Sequence, residues 1–129
     1  MKFSTEIQVR FADMDAYGHL NHATFFTYLE TARTIVFRNI FLDLMAKGHL
    51  LMVVKAECQY KHPIGPADRS IVSMQAEEIK RTRFTLSYQI HDGEGTIFAE
   101  AKTVMICFDE QRGKPVAIPL QLREAITQV

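Results

Sequence analysis

The chain has 129 residues, and 15 Lys plus Arg stand against 15 Asp plus Glu, so its formal charge is zero with His neutral. That length points to a single domain over residues 1–129, and 47% hydrophobic with 23% charged residues is too apolar for intrinsic disorder. Balanced charge removes the broad electrostatic footprint of a nucleic-acid binder, and the longest apolar runs, residues 50–54 and 104–108, fall far short of the ~20 residues of a membrane span.

Phe3, Thr5, Ile7, Val9 and Phe11 alternate with polar residues, which predicts a strand. Residues 12–22, rich in Asp, Gly, Asn and His, read as a loop. Residues 24–47 lack Gly and Pro, and Phe25, Leu29, Ala32, Val36, Ile40 and Leu44 recur at helical spacing, which predicts one long helix. Tyr28, Ile35, Phe37 and Phe41 widen its apolar stripe, so deep burial is expected, with Asn21 or Thr24 capping its start. Four further strands follow. Met52, Val54, Ala56, Cys58 and Tyr60 share the apolar side of the first, and the breaker-rich segment 63–68 ends it. Residues 72–77, 84–90 and 97–108 alternate likewise, and 120–126 reads as a short helix. One strand, one helix and four strands on short connections give an α+β class with an antiparallel sheet curved around the helix. Cys58 and Cys107 are too few for a disulfide framework, and Met1, Lys2, Phe3 and Ser4 do not begin a leader, so a cytoplasmic protein is expected.

Chemistry concentrates in the loop before the helix, where Asp13, Asp15, His19 and His22 lie close in sequence. A helix N-terminus supplies unpaired N–H groups and partial positive charge, suited to a developing oxyanion. A carboxylate there can attack an electron-poor acyl carbon or deprotonate water; the ordinary alternative is local turn and cap formation. A metal site would draw on the same Asp and His residues, but there is no His-Glu-x-x-His pattern and no Cys pair, and no metal is expected. With no Gly-x-Ser-x-Gly elbow, dinucleotide fingerprint or P-loop, serine-hydrolase, redox and ATP chemistry are disfavoured. Glu30 and Arg33, one helical turn apart, read as an ordinary ion pair. The segment Lys80, Arg81, Thr82 and Arg83 reads either as a solvated strand junction or as a cradle for phosphates; Lys61 and His62 form a second, smaller basic pair.

Asp15-Ala16-Tyr17-Gly18-His19-Leu20-Asn21-His22, followed by Tyr28-Leu29-Glu30-Thr31-Ala32-Arg33, resembles the signature of hot-dog-fold acyl-CoA thioesterases of the 4-hydroxybenzoyl-CoA thioesterase-like branch, including its Tol-Pal-associated relatives. The resemblance extends from the preceding strand to the ending between Pro115 and Pro119. It implies hydrolysis of an acyl-CoA to CoA and a carboxylic acid without cofactor. Asp15 would be the catalytic carboxylate, as nucleophile or general base. His22 would sit where a helix-start N–H meets the thioester carbonyl, with Gly18 shaping the loop and Asn21 holding it. Phe25 stands where many members carry Tyr, which separates this chain from any role for a phenol there. Arg81, Thr82 and Arg83 would meet the CoA phosphates. Edge-to-edge pairing into a homodimer, and further into a homotetramer, is implied too, and it would cover an open strand edge. The rival readings are an acyl-carrier-protein thioesterase, a hot-dog dehydratase or hydratase, and an acyl-CoA-binding module without turnover.

Overall fold

The computed structural model describes residues 3–127. Its strands are β1 (Phe3–Ile7), β2 (His49–Tyr60), β3 (Ser70–Glu77), β4 (Arg83–His91), β5 (Ile97–Asp109) and the short β6 (Lys114–Pro115); its helices are α1 (Thr24–Val36), α2 (Arg38–Ala46) and α3 (Leu120–Thr127). The five long strands follow the order β1-β3-β4-β5-β2 with antiparallel neighbours, and β6 pairs with β5. This is the curved α+β sheet expected from the element order.

The apolar face of α1 is Phe25, Tyr28, Leu29 and Ala32, a spacing that brings them onto one side of the helix. They pack with Val72, Met74, Phe84, Leu86, Tyr88, Ile90 and Ala99, all almost fully buried. Each large apolar side chain so enclosed contributes roughly 1.5–3 kcal/mol of transfer free energy. Leu122 and Ile126 of α3 join the same core.

Three local expectations are corrected. The first strand stops at Ile7, because the chain turns through Phe11–Asp13 as Arg10 forks onto the buried Asp13 carboxylate. The long helix divides at Phe37, whose φ of −106° and ψ of 21° lie outside helical values. Hydrogen bonds still bridge the bend, from the Phe37 N–H to the Arg33 carbonyl and from the Phe41 N–H to the Phe37 carbonyl, and the buried Phe37 ring stands edge-on to Phe3 at 5.2 Å. Nor is the helical stripe buried all round: Ile35, Leu42 and Met45 are each about half exposed, since the sheet covers only one side.

On β2 the register shifts between Val53 and Lys55, leaving Val54 as an extra residue. The inward row is therefore Leu51, Val53, Ala56, Cys58 and Tyr60, paired with Cys107, Met105, Thr103, Ala101 and Ala99 of β5, rather than the simple alternation through Met52 and Val54. β2 is also the outermost strand, and Met52, Val53, Val54 and Tyr60 stay between 41% and 49% exposed. Among the described residues no helix is long and apolar enough to cross a membrane.

Candidate active site

The loop from Asp13 to His22 joins the first sheet edge to α1, and its two carboxylates face different surroundings. Asp13 is buried. Arg10 donates to both its oxygens, at 2.8 and 3.3 Å, and the Tyr28 hydroxyl of α1 donates to Oδ2 at 2.8 Å. The Arg10 guanidinium, helped by Tyr28, holds the Asp13 carboxyl below the usual carboxylate range against the opposing effect of burial. Burial, reinforced by Asp13, pushes the Tyr28 phenol well above its ordinary value, so it stays a donor. The Asp13 carbonyl accepts from the Asn21 N–H at 3.0 Å, which closes the base of the loop.

Asp15, two residues on, is only half-buried. Its Oδ1 accepts the N–H groups of Tyr17 (2.9 Å) and His19 (3.2 Å), while among the described residues Oδ2 accepts nothing. The Asp15 N–H donates to the His19 carbonyl at 2.7 Å, and the Gly18 N–H to the Asp15 carbonyl at 3.1 Å. Gly18 closes this tight turn at φ +77°, and no neighbouring atom crowds its missing Cβ; left-handed backbone, not lack of space, is what requires glycine.

Asn21 Oδ1 accepts the Ala23 N–H at 2.9 Å and its carbonyl accepts the Thr24 N–H at 2.9 Å. Asn21 therefore organises the approach to α1, whereas Ala23 occupies the cap position and Thr24 begins the helix rather than capping it. His22 lies just before the helix, not within its first turn. Among the described residues its N–H has no acceptor, and its imidazole makes no hydrogen bond to Asp15. Its carbonyl accepts the Tyr60 hydroxyl at 2.7 Å, and the Tyr60 ring stands edge-on to Phe25 at 4.9 Å and to His22 at 6.5 Å. Tyr60 thus brings a phenol from β2 against Phe25, a contribution sequence reasoning missed; the only hint was its place at the inward end of a strand just before the turn at Pro63.

Asp15, His19, His22, Tyr60, Lys61 and His62 line a single depression of about 320 Å³, floored by Leu20 and Phe25. One acidic residue shares this lining with three histidines and a lysine. Among the described residues no group of three or more His, Cys, Asp or Glu side chains is gathered as a metal would need. Burial pushes the Cys58 and Cys107 thiols up, which suits packing rather than nucleophilic attack. Arg81, Thr82 and Arg83 are not part of this depression. They lie at the opposite end of the sheet, where Arg83 pairs with Ile106, and the nine residues of β4 separate the two ends by roughly 26 Å. The backbone there is tied down by bonds from the Ile118 N–H and the Arg123 guanidinium, while the Arg81 and Arg83 side chains are exposed.

A curled antiparallel sheet closed over a helix, with a polar loop at the helix start, defines a hot-dog domain. The chain belongs to the thioesterase-like superfamily, whose family model matches residues 9–126. It is similar to the long-chain acyl-CoA thioesterase FadM of Escherichia coli, at 29% identity over 97% of this chain and 97% of that one. It is also similar to the acyl-CoA thioester hydrolase YbgC of Escherichia coli, at 28% identity over 91% of this chain and 90% of the other. The crystal structure of a hypothetical protein (AQ1494) from Aquifex aeolicus superposes with a TM-score of 0.88 at 30% identity, covering 96% of this chain and 98% of that one.

Proposed function

We propose that the protein hydrolyses acyl-CoA thioesters to a carboxylic acid and free CoA, with Asp15 as the catalytic carboxylate. The observation that carries this reading is the divided role of Asp15, whose Oδ1 is fixed by two loop N–H groups while, among the described residues, Oδ2 accepts nothing and the N–H of His22, which lines the same depression, has no acceptor. The depression is open to solvent, so water is at hand. Oδ2 takes a proton from a water whose oxygen attacks the thioester carbon. The carbonyl electron pair moves onto oxygen and is stabilised by the His22 N–H. Collapse of that intermediate breaks the C–S bond, and the proton held by Asp15 passes to the departing thiolate. A thiolate leaves readily, so a full catalytic triad is unnecessary. The His22 imidazole helps place the water, Gly18 and Asn21 keep the loop in shape, and no cofactor is consumed.

Two copies would pair through their β2 edges. An outer strand of twelve residues with exposed apolar side chains supports this, because an unpaired edge of that length invites another strand. Antiparallel pairing about the middle of β2 would carry the Arg81-Thr82-Arg83 end of one copy to the Asp15 end of the other. CoA phosphates would then meet that basic segment across the interface, with Lys61 and His62 of the catalytic copy beside them. Further association of dimers into a tetramer is part of the same proposal. The unpaired thiols of Cys58 and Cys107 fit a reducing cytoplasm.

The test is thiol release from short, long and aromatic acyl-CoAs and from acyl-carrier-protein thioesters, with sedimentation of the same preparation. Release from at least one acyl-CoA class by a dimer or tetramer is expected. CoA binding with every acyl-CoA left intact would replace hydrolysis with a binding role, and turnover confined to carrier-protein thioesters would change the substrate.

A further inference from the structure

We propose that the cavity between α1 and β2 receives the far end of the acyl group, and that Arg33 and Glu30 there select chains carrying a hydroxyl. This rests on thioester hydrolysis at Asp15 and adds the class of acyl group.

The cavity, of about 250 Å³, is lined by Phe26, Glu30, Arg33, Val53, Ala56 and Thr103, among others. It lies along the same two elements as the Asp15 depression, which takes Phe25 from the first turn of α1, His22 from just before it, and Tyr60 from the end of β2. From Tyr60 to Ala56 the strand advances roughly 13 Å, and from His22 to Arg33 the helix climbs roughly 16 Å. Arg33 leans back towards the helix start, as helical side chains do, so an oxygen roughly 10 Å from the thioester carbonyl would come within its reach. Its β2 residues, Val53 and Ala56, lie on the outermost strand, where a second copy would roof the cavity.

Its polar groups are arranged unlike a plain alkyl pocket. Among the described residues Arg33 forms no ion pair, so the expected bond to Glu30 is absent, although both side chains line the cavity. Instead Arg33 Nη1 donates to the Tyr88 hydroxyl at 3.2 Å, and Tyr88 shares a 2.7 Å hydrogen bond with Thr103 Oγ1. Tyr88 and Thr103 are 1% and 2% exposed, so a buried polar chain runs from the sheet to a half-buried guanidinium. A guanidinium has five N–H donors, and this is the one side-chain bond Arg33 makes among the described residues. An alkyl terminus would strip water from the remaining donors and return nothing. A carboxylate would satisfy Arg33 but face Glu30. A hydroxyl fits both, accepting from Arg33 and donating to Glu30.

The experiment compares octanoyl-CoA with ω-hydroxyoctanoyl-CoA and its ω-carboxy analogue, by kcat/KM in the wild-type protein and by calorimetric binding to Asp15→Asn. The ω-hydroxy thioester is expected to be favoured roughly tenfold or more over octanoyl-CoA, as in sites built to bond a substrate hydroxyl. Arg33→Met should collapse that ratio. Glu30→Gln, at an exposed position, should lower it while raising kcat/KM for the ω-carboxy analogue several-fold. Equal kcat/KM for the octanoyl and ω-hydroxy thioesters, or a ratio unmoved by either substitution, overturns the assignment and leaves thioester hydrolysis standing. If no thiol is released from any of them, hydrolysis itself falls; the binding arm then decides the cavity, tighter binding of the ω-hydroxy compound supporting it and equal binding overturning it.

Discussion

Asp13 and Asp15 stand two residues apart in one loop and meet opposite surroundings. Asp13 points into the protein, where Arg10 and Tyr28 use both its oxygens and tie the loop to α1. Asp15 lines a solvent-open depression with one oxygen anchored and, among the described residues, the other without a partner. Two carboxylates of identical chemistry are thus divided by their partners: both oxygens of Asp13 have fixed donors, whereas among the described residues one oxygen of Asp15 has none. The same contrast separates the two basic segments. Lys61 and His62 border the depression, whereas Arg81 and Arg83 lie at the far end of the sheet.

The largest effect expected from breaking this contrast is at the free carboxylate. Asp15→Asn keeps an acceptor for the Tyr17 and His19 N–H groups but removes the base, so thiol release should fall by about 10²- to 10⁴-fold with the melting temperature nearly unchanged. Asp13→Asn should do the reverse in kind. It leaves Arg10 and Tyr28 without their charged partner, and a loss of about 1–3 kcal/mol in denaturant unfolding is expected. That variant should also change the acid limb of stability. Because the folded Asp13 carboxyl titrates below its unfolded value, its contribution is complete above the ordinary carboxylate range and disappears as pH falls through the lowered folded value. Wild type should therefore lose its advantage over Asp13→Asn as the medium is acidified; a constant gap would show that Asp13 is not held as the ion.

Smaller effects sharpen the picture. Tyr60→Phe keeps the ring against Phe25 but frees the His22 carbonyl, which lies one peptide on from the His22 N–H, so only a drop of about a few-fold in kcat with little change in KM is expected. Gly18→Ala meets no steric obstacle, so its cost should be near that of left-handed backbone alone, about 1 kcal/mol, measurable as a modest loss of stability.

The strand–helix–four-strand order was legible in the sequence because each element has a clear period of apolar residues, and the observed strands fall on the expected runs. The departures arise where tertiary contacts override local pattern. Phe37 bends the helix without glycine or proline, and the extra Val54 shifts the inward row of β2 by one residue. In the loop, residue type and spacing did not divide Asp13 from Asp15, and only the family resemblance singled out Asp15; the physical difference lies in Arg10 and in Tyr28, fifteen residues away on α1. The Tyr60 contact with His22 spans 38 residues and the Arg33 contact with Tyr88 spans 55, distances over which no local spacing rule applies. The expected Glu30 to Arg33 pair illustrates the same limit, because a buried hydroxyl on the sheet captured the guanidinium instead.

The most direct test of the central claim is a side-by-side measurement of thiol release and thermal unfolding for wild type, Asp13→Asn and Asp15→Asn on one hydrolysed acyl-CoA. Turnover lost at unchanged stability only in Asp15→Asn, with stability lost in Asp13→Asn, is the predicted result. An Asp15→Asn protein that folds normally and still releases thiol at the wild-type rate would contradict it.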